Sequence, residues 1–506
     1  MLRLMTVGRM LGLAVLGALC GCSLLLDTSE FRAGDRALRI DGIEPIQVTE
    51  GAMEPVIVRG QGLTEGVIVS AFVVLPGGDQ PVPIAGRLES PDGTELGLLL
   101  DVPVLPELGP EDDPVSVRID LERGDTLAAD QLELRALSEL VLDANMPLDT
   151  TEMAERYSEI NVTGPAMIRG PQPARLVATR AIRINAVLDA NGESASGDQP
   201  GPGGPGGCAG GAGGASNTDG QPGGCDLGGG RAGITATGDS GPGGSGGGGG
   251  CGDDALNGEG ANSGVGGENV CSLELVPLGE PSNRGHGGGG GGSFESAIGG
   301  GGGGGGGVVE LDAPLVVLNA AVTASGGNGA AGQSLQCDQP RFGGGGGGGS
   351  GGVVVVRADT LVVTERDRIS ARGGLGAQTC AGGPGGSSGA AGRVRIDVAT
   401  LQSSTVGNIE QIADLFSRDN LWQGPRLATS TPRLTLSGQV AIRVRGDDQV
   451  TYALRVDREQ PVTIGGEQTL ELALERGLRV VCVLVQGVDP ELSESQHCLT
   501  IAVLDR

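Results

Sequence analysis

Residues 307–327 read GVVELDAPLVVLNAAVTASGG, and residues 352–374 read GVVVVRADTLVVTERDRISARGG. Val308-Val309 of the first stretch matches Val353-Val354 of the second, 45 positions on. Leu315-Val316-Val317 then matches Leu361-Val362-Val363, and Ala324 matches Ala371 before each chain runs into Gly. A third start, Gly392-Arg393-Val394-Arg395-Ile396-Asp397-Val398, follows after a further 40 positions and fades. Residues 181–192 (AIRINAVLDANG) read as the end of an earlier copy. Each copy is thus a strand, a tight turn, a strand, a short strand with a small residue, and a Gly-rich excursion.

A single copy of this kind cannot bury its apolar face. Stacked copies can, with each strand pairing to its equivalent in the next coil. The pattern predicts a right-handed parallel β-helix with Val, Ile, Leu and Ala inside and the Gly-rich excursions leaving from one corner. The excursions are either packed extended Gly helices or loose loops. The competing reading is a flatter sheet, or a disordered Gly coat carrying isolated hairpins.

Composition sets the frame for this repeat. The 506 residues include 99 Gly and only 8 aromatic side chains. Gly brings no side chain to a core and loses the most backbone entropy on ordering, so one large conventional core is excluded. There is no Lys, and 34 Arg face 62 acidic residues for a net charge of -28. The acidity argues against nucleic acid as a partner. The absence of Lys excludes a GxxxxGK[ST] phosphate loop and a Schiff-base lysine. Two His, His286 and His497, offer little for metal or triad chemistry. His286, inside a Gly run, is expected to be exposed and inert. His497, in a strand before Cys498, is expected to ligate nothing without a partner.

Flanking the repeats are two regions of short apolar runs. The first spans 36–141, with runs at 37–40, 56–59, 67–75, 96–104, 115–121 and 132–137. The second spans 424–506, with seven runs between 434 and 504. Strands of this length and spacing predict a β-sandwich in each. Between them, 142–195 is a connector holding one strand at 181–188, 196–307 is the Gly-rich low-complexity region, 308–400 carries the repeats and 401–423 is a linker. The chain is therefore expected to be all-β: a β-sandwich, a Gly-rich parallel β-helix-like body, and a second sandwich as its cap. Trp422 is expected as a packing anchor at the last junction.

In the first region Gly42-Ile43-Glu44-Pro45, Glu50-Gly51 and Val56-Ile57-Val58-Arg59-Gly60-Gln61-Gly62-Leu63 resemble the opening of an IPT/TIG immunoglobulin-like domain. The resemblance implies an Ig-like spacer or binding module and no reaction. The Gly-rich repeats resemble bacterial surface proteins of similar composition.

Residues 1–22 combine Arg3 and Arg9 with an apolar run of roughly ten residues, too short to span a bilayer of about 30 Å. The run ends in Leu19-Cys20-Gly21-Cys22, which resembles the lipobox of bacterial lipoproteins. The resemblance implies a signal peptide at 1–21, lipid on Cys22 as the anchor and a tether at 22–35. Ser23, in place of Asp, implies the outer membrane. An ordinary secretory signal with two incidental cysteines is the bland alternative.

Eight cysteines remain after Cys22, an even number that in an exported chain suggests disulfides. Cys482–Cys498 is the leading pair, followed by Cys208–Cys225, Cys251–Cys271 and Cys337–Cys380. Residues 249–257 match one calcium-binding nonapeptide, with Asp253 and Asp254 as candidate ligands; a single copy supplies half a site. The apolar repeat also places Asp189, Glu310, Asp312, Arg357 and Asp359 where a glycan-cleaving groove would have its carboxylates and Arg. Phe294 and Phe342 are the only aromatics in that region, which counts against a sugar cleft.

The expectation is a non-enzymatic, lipid-anchored envelope protein with a structural or adhesive role and no cofactor beyond the lipid. Its partners are the membrane and envelope polysaccharide or surface proteins. A polysaccharide lyase or hydrolase and a calcium-stabilised repeat protein are the alternatives.

Overall fold

The computed structural model describes residues 37–105, 115–143, 147–224, 229–230, 232–233, 285–293, 297–333, 343–377, 385–403, 405–406, 411–414, 421–424, 426–428, 430–446, 451–466, 468–485 and 496–506. Among them the chain is all-β, with no α-helix. Cys22, Asp253, Asp254, Cys225, Cys251, Cys271, Cys337, Cys380, Phe294 and Phe342 lie outside the described residues.

The N-terminal unit alternates apolar and polar residues along its strands, as Val115–Arg123 (VSVRIDLER) illustrates: Val117, Ile119 and Leu121 are buried. Period-two alternation gives a strand one dry face. Four strands (Arg39–Glu44, Met53–Gln61, Glu95–Asp101, Ile84–Glu89) form one antiparallel sheet. Five more (Gln47–Thr49, Thr126–Arg135, Val115–Arg123, Ile68–Val74, Gln80–Pro81) form a second. Val56, Val58, Leu98 and Leu100 of the first sheet share a core with Val117, Ile119 and Leu132 of the second.

Residues 140–422 build two parallel sheets. One contains Leu140–Leu142, Tyr157–Val162, Ala174–Ile184, Val308–Asp312 with Leu315–Leu318, Val353–Val363, Arg393–Gln402 and Leu421–Trp422. The other contains Pro147–Asp149, Ala166–Arg169, Leu188–Asp189, Val322–Thr323, Ile369–Ser370 and Ala413–Asp414. The chain visits the sheets alternately, and like residues stack. One column runs Ile160, Ile182, Val316, Leu361, Leu401. Its opposite number runs Ala166, Leu188, Val322, Ile369, Ala413. Both columns feed one core.

The expected connector at 142–195 needs correction. It holds strands of both sheets, and the expected strand at 181–188 divides into the end of Ala174–Ile184 and the separate Leu188–Asp189. These early strands have no Val run, and all but Ala174–Ile184 are short, so the repeat is faint there in the residues themselves.

The C-terminal unit has a three-stranded sheet (Arg426–Leu427, Gly438–Arg445, Gln468–Leu474) and a five-stranded one (Leu434–Leu436, Gln496–Leu504, Gly477–Val485, Tyr452–Val456, Val462–Ile464). Val440, Ile442, Tyr452, Val483 and Ile501 lie in its core. Cys482 stands directly opposite Cys498 in register, and the two are disulfide-bonded. This unit does more than cap the parallel sheets. Leu504 and Leu434 lie over Gly97 and Gly86 of the N-terminal sheet, so the last strands of the chain dock on the first unit. The end-to-end order expected from the residues does not contain this return.

Candidate functional site

The described glycine runs at 285–292, 299–307 and 343–349 are the first candidate, because their backbone is hydrogen-bonded and buried. In 299–307 the amides, at hydrogen-bond distances of 2.8–2.9 Å, fall into three sets, one for each third residue. Gly299, Gly302 and Gly305 donate to the carbonyls of Gly214, Gly211 and Cys208. Gly300, Gly303 and Gly306 donate to Gly344, Gly347 and Ser350. Gly301, Gly304 and Gly307 donate to Gly197, Glu193 and Ala190. The carbonyls of this run accept from three further segments: Gly288 and Gly291, Gly327 and Ala330, Gly201 and Gly204. One extended chain with three residues per turn, the period of a polyproline-type helix, is thus held on six sides by its neighbours.

Close approach, and not left-handed φ, is what demands Gly here. None of the glycines in 285–292, 299–307 or 343–352 takes a positive φ. A β-carbon on Gly302 would overlap the Gly288 carbonyl, and one on Gly303 would overlap that of Gly327. The lattice also keeps step with the parallel sheets. Gly307, Gly352 and Gly392 lead into Val308–Asp312, Val353–Val363 and Arg393–Gln402, and each donates to the Ala that follows a short strand: Ala190, Ala324 and Ala371. A net hydrogen bond is worth about 0.5–1.5 kcal/mol, against roughly 1–2 kcal/mol to order one residue's backbone. Such segments therefore need anchoring at their ends, and the sheets supply it. Cys208, within the lattice, is disulfide-bonded; its expected partner Cys225 is outside the described residues.

His286 corrects the expectation of an exposed side chain: it is 3% exposed. Its N–H donates to Ser350 Oγ at 2.7 Å, and its carbonyl accepts the Ser350 N–H at 2.9 Å. It closes one row of the lattice where the glycines end.

The charged residues form the second candidate. Parallel register puts Arg175, Glu310, Val355 and Arg395 in one column, and Asp312, Arg357 and Asp397 in the next. Arg357 is ion-paired with Glu310, and its Nε lies 3.5 Å from Asp397 Oδ2. Arg395 Nη2 lies 2.6 Å from the same Asp397 oxygen. Arg426 Nη2 reaches Asp359 Oδ1 at 2.7 Å, and the Gly424 N–H donates to Asp397 Oδ1 at 2.7 Å. Burial pushes the Asp312 carboxyl up, with Arg357 pulling it the other way.

Four of the five residues expected in a glycan groove therefore come together: Glu310, Asp312, Arg357 and Asp359. Asp189 does not join them. It sits in the other sheet and accepts the Asn191 N–H at 2.8 Å, closing a turn. Glu310 and Arg357 are each 4% exposed and Asp397 is 1% exposed, so these three side chains are buried, while Asp359 at the edge of the cluster stays 39% exposed. Arg395, Asp397 and Arg426 were not anticipated. Aligning Gly392-Arg393-Val394-Arg395-Ile396-Asp397 on residues 352–357 would have placed Asp397 over Arg357. Trp422 contributes backbone, pairing with Arg395.

His497 lies beside this cluster. Its Nδ1 accepts the Leu427 N–H at 2.9 Å. Burial, then Arg426, Arg357 and Arg433, holds its imidazole well below the ordinary value of 6.5. Among the described residues no group of three or more His, Cys, Asp and Glu side chains is arranged to hold a metal ion. No helix among them is long and apolar enough to cross a membrane. A comparison with protein-family models finds no match for the chain, and neither does a comparison with curated proteins.

Proposed function

We propose that this chain is a non-enzymatic, lipid-anchored protein of the bacterial outer membrane with a structural or adhesive role. In this reading the parallel sheets are a β-helix, and the two end units are Ig-like sandwiches, the first of IPT/TIG type. The single observation that carries the proposal is the buried glycine lattice in step with the parallel sheets. It spends backbone hydrogen bonds on rigidity. The sealed state of the Glu310–Arg357–Asp397 cluster supports a fastening role over catalysis. Binding would rest on shape and backbone or small polar groups, since aromatic anchors are scarce.

The test is expression of the full chain in a bacterial host with metabolic labelling by an alkyne fatty acid. The wild type is expected to carry label and sediment with outer membranes, and Cys22→Ala to lose both. A soluble, unlabelled wild type overturns the anchor. Turnover of envelope polysaccharide by the purified protein, abolished in Glu310→Gln, overturns the non-enzymatic reading.

A further inference from the structure

Three parts of the chain meet around Arg433. Its Nε donates to the Thr500 carbonyl at 2.7 Å and its Nη2 to the Met53 carbonyl at 3.0 Å, tying the C-terminal unit to the N-terminal one. Next to it, the segment 424–427 is pinned from two sides. Gly424 and Arg426 hold Asp397 and Asp359 of the parallel sheets, while the Leu427 N–H is taken by His497 of the C-terminal unit. Leu427 itself is buried in the C-terminal core.

Among the described residues, the charges that bear most on His497 are three arginines. Arg426 faces it from the pinned segment, Arg357 from the parallel sheets and Arg433 from the stretch leading into Leu434–Leu436. The acids of the junction face those arginines instead: Glu54 and Asp359 face Arg433, while Glu310, Asp397 and Asp312 face Arg357. We infer that His497 makes this junction an acid-released latch. One solvent proton on Nδ1 removes the acceptor of the Leu427 N–H and places a fourth positive charge among three arginines. Strand Gln496–Leu504 then lets go of Leu427 in mildly acid medium, while the pairing of Arg426–Leu427 with Gly438–Arg445 remains.

The direction follows from linkage. A histidine whose folded pKa is depressed binds its proton more readily in the open or unfolded chain. Its contribution is therefore full above the ordinary value of 6.5 and is lost as pH falls below it. Glu54 acts in the opposite sense: burial raises it, so its protonation favours the folded state. A variant that changes His497 alone separates the two.

The experiment uses the full mature protein and His497→Asn, whose side-chain oxygen can accept the same N–H and carries no charge. Hydrogen exchange is followed at the Leu427 N–H between pH 7.5 and 5, corrected for intrinsic rates. In the wild type, opening is expected to increase by up to about tenfold per pH unit below 6.5, and in the variant this increase is expected to be lost. Equal pH dependence in both, or none in the wild type, overturns the latch. If the variant does not fold, the wild-type imidazoles are titrated by NMR, which is tractable because the chain has two His. Titration of His497 near 6.5 with the Leu427 N–H still protected overturns it; a neutral His497 until that N–H opens supports it.

Discussion

Glu95 Oε1 accepts a hydrogen bond from Arg476 Nε at 2.7 Å, across 381 positions of chain. The same carboxylate accepts from Arg59 Nε at 3.2 Å and from the Asp505 N–H at 2.9 Å, and its side chain is fully buried. One acid therefore fastens the N-terminal sheet to the last strand of the chain. Glu95→Ala is expected to lower stability by about 2–3 kcal/mol, the range for hydrogen bonds to a charged group, discounted for the half-exposed Arg476. Denaturant titration measures it. A double-mutant cycle with Arg476→Ala should return a coupling on the order of 1 kcal/mol, and no coupling would remove this fastening from the account.

Gly303→Ala tests the lattice. The new methyl would meet the Gly327 carbonyl, which is itself hydrogen-bonded and cannot rotate away as a side chain would. The expected loss is about 3 kcal/mol or more, at the upper end of overpacking. Gly77→Ala is the control, since a β-carbon there meets nothing within 4 Å; it should stay within about 0.5 kcal/mol. Calorimetry of both variants decides, and equal melting would mean that the glycines are not close-packed.

Removing the Cys482–Cys498 bond by a double Ala substitution frees a chain whose ends are 16 positions apart. The chain-entropy account predicts a loss of roughly 3 kcal/mol. The pair joins Gly477–Val485 to Gln496–Leu504 within the C-terminal unit, so that unit is expected to become protease-sensitive first. Mass mapping of early fragments reads this directly.

Asp397→Ala leaves Arg357 and Arg395 with one fewer carboxylate in a sealed site. Breaking a buried ion pair from one side costs about 3–5 kcal/mol. Because the cluster is away from solvent, the loss is expected to persist in high salt, where surface pairs are screened. Unfolding at low and high ionic strength checks both statements.

How far these features are legible differs from one element to the next. The seven C-terminal apolar runs all fall on strands, because each is a short continuous or alternating apolar stretch of strand length. The 45-position offset of Val308 on Val353 is a strand pair in the structure. The rungs at Leu140–Leu142 and Tyr157–Val162 are not legible as copies, since three to six residues carry no detectable period. Strand Ile84–Glu89 (IAGRLE) was missed for a related reason: none of its residues is fully buried, so it has no apolar run. Of the ion cluster, Glu310, Asp312, Arg357 and Asp359 were legible in the repeat; Arg395 and Asp397 escaped because they join it only through parallel register, and His286 because a Gly run reads equally as solvated coil.

The residues alone determine an all-β chain, the period of its parallel rungs, the Cys482–Cys498 pairing distance along the chain and the absence of lysine chemistry. These are local or periodic properties, written in the alternation and spacing of side chains. Tertiary structure alone decides that the glycines pack six neighbours around one extended segment, that Arg357 and Asp397 are sealed, and that Glu95 meets Arg476. Glycine has no side chain to announce a partner, and a contact between distant segments depends on where every intervening turn has placed the backbone.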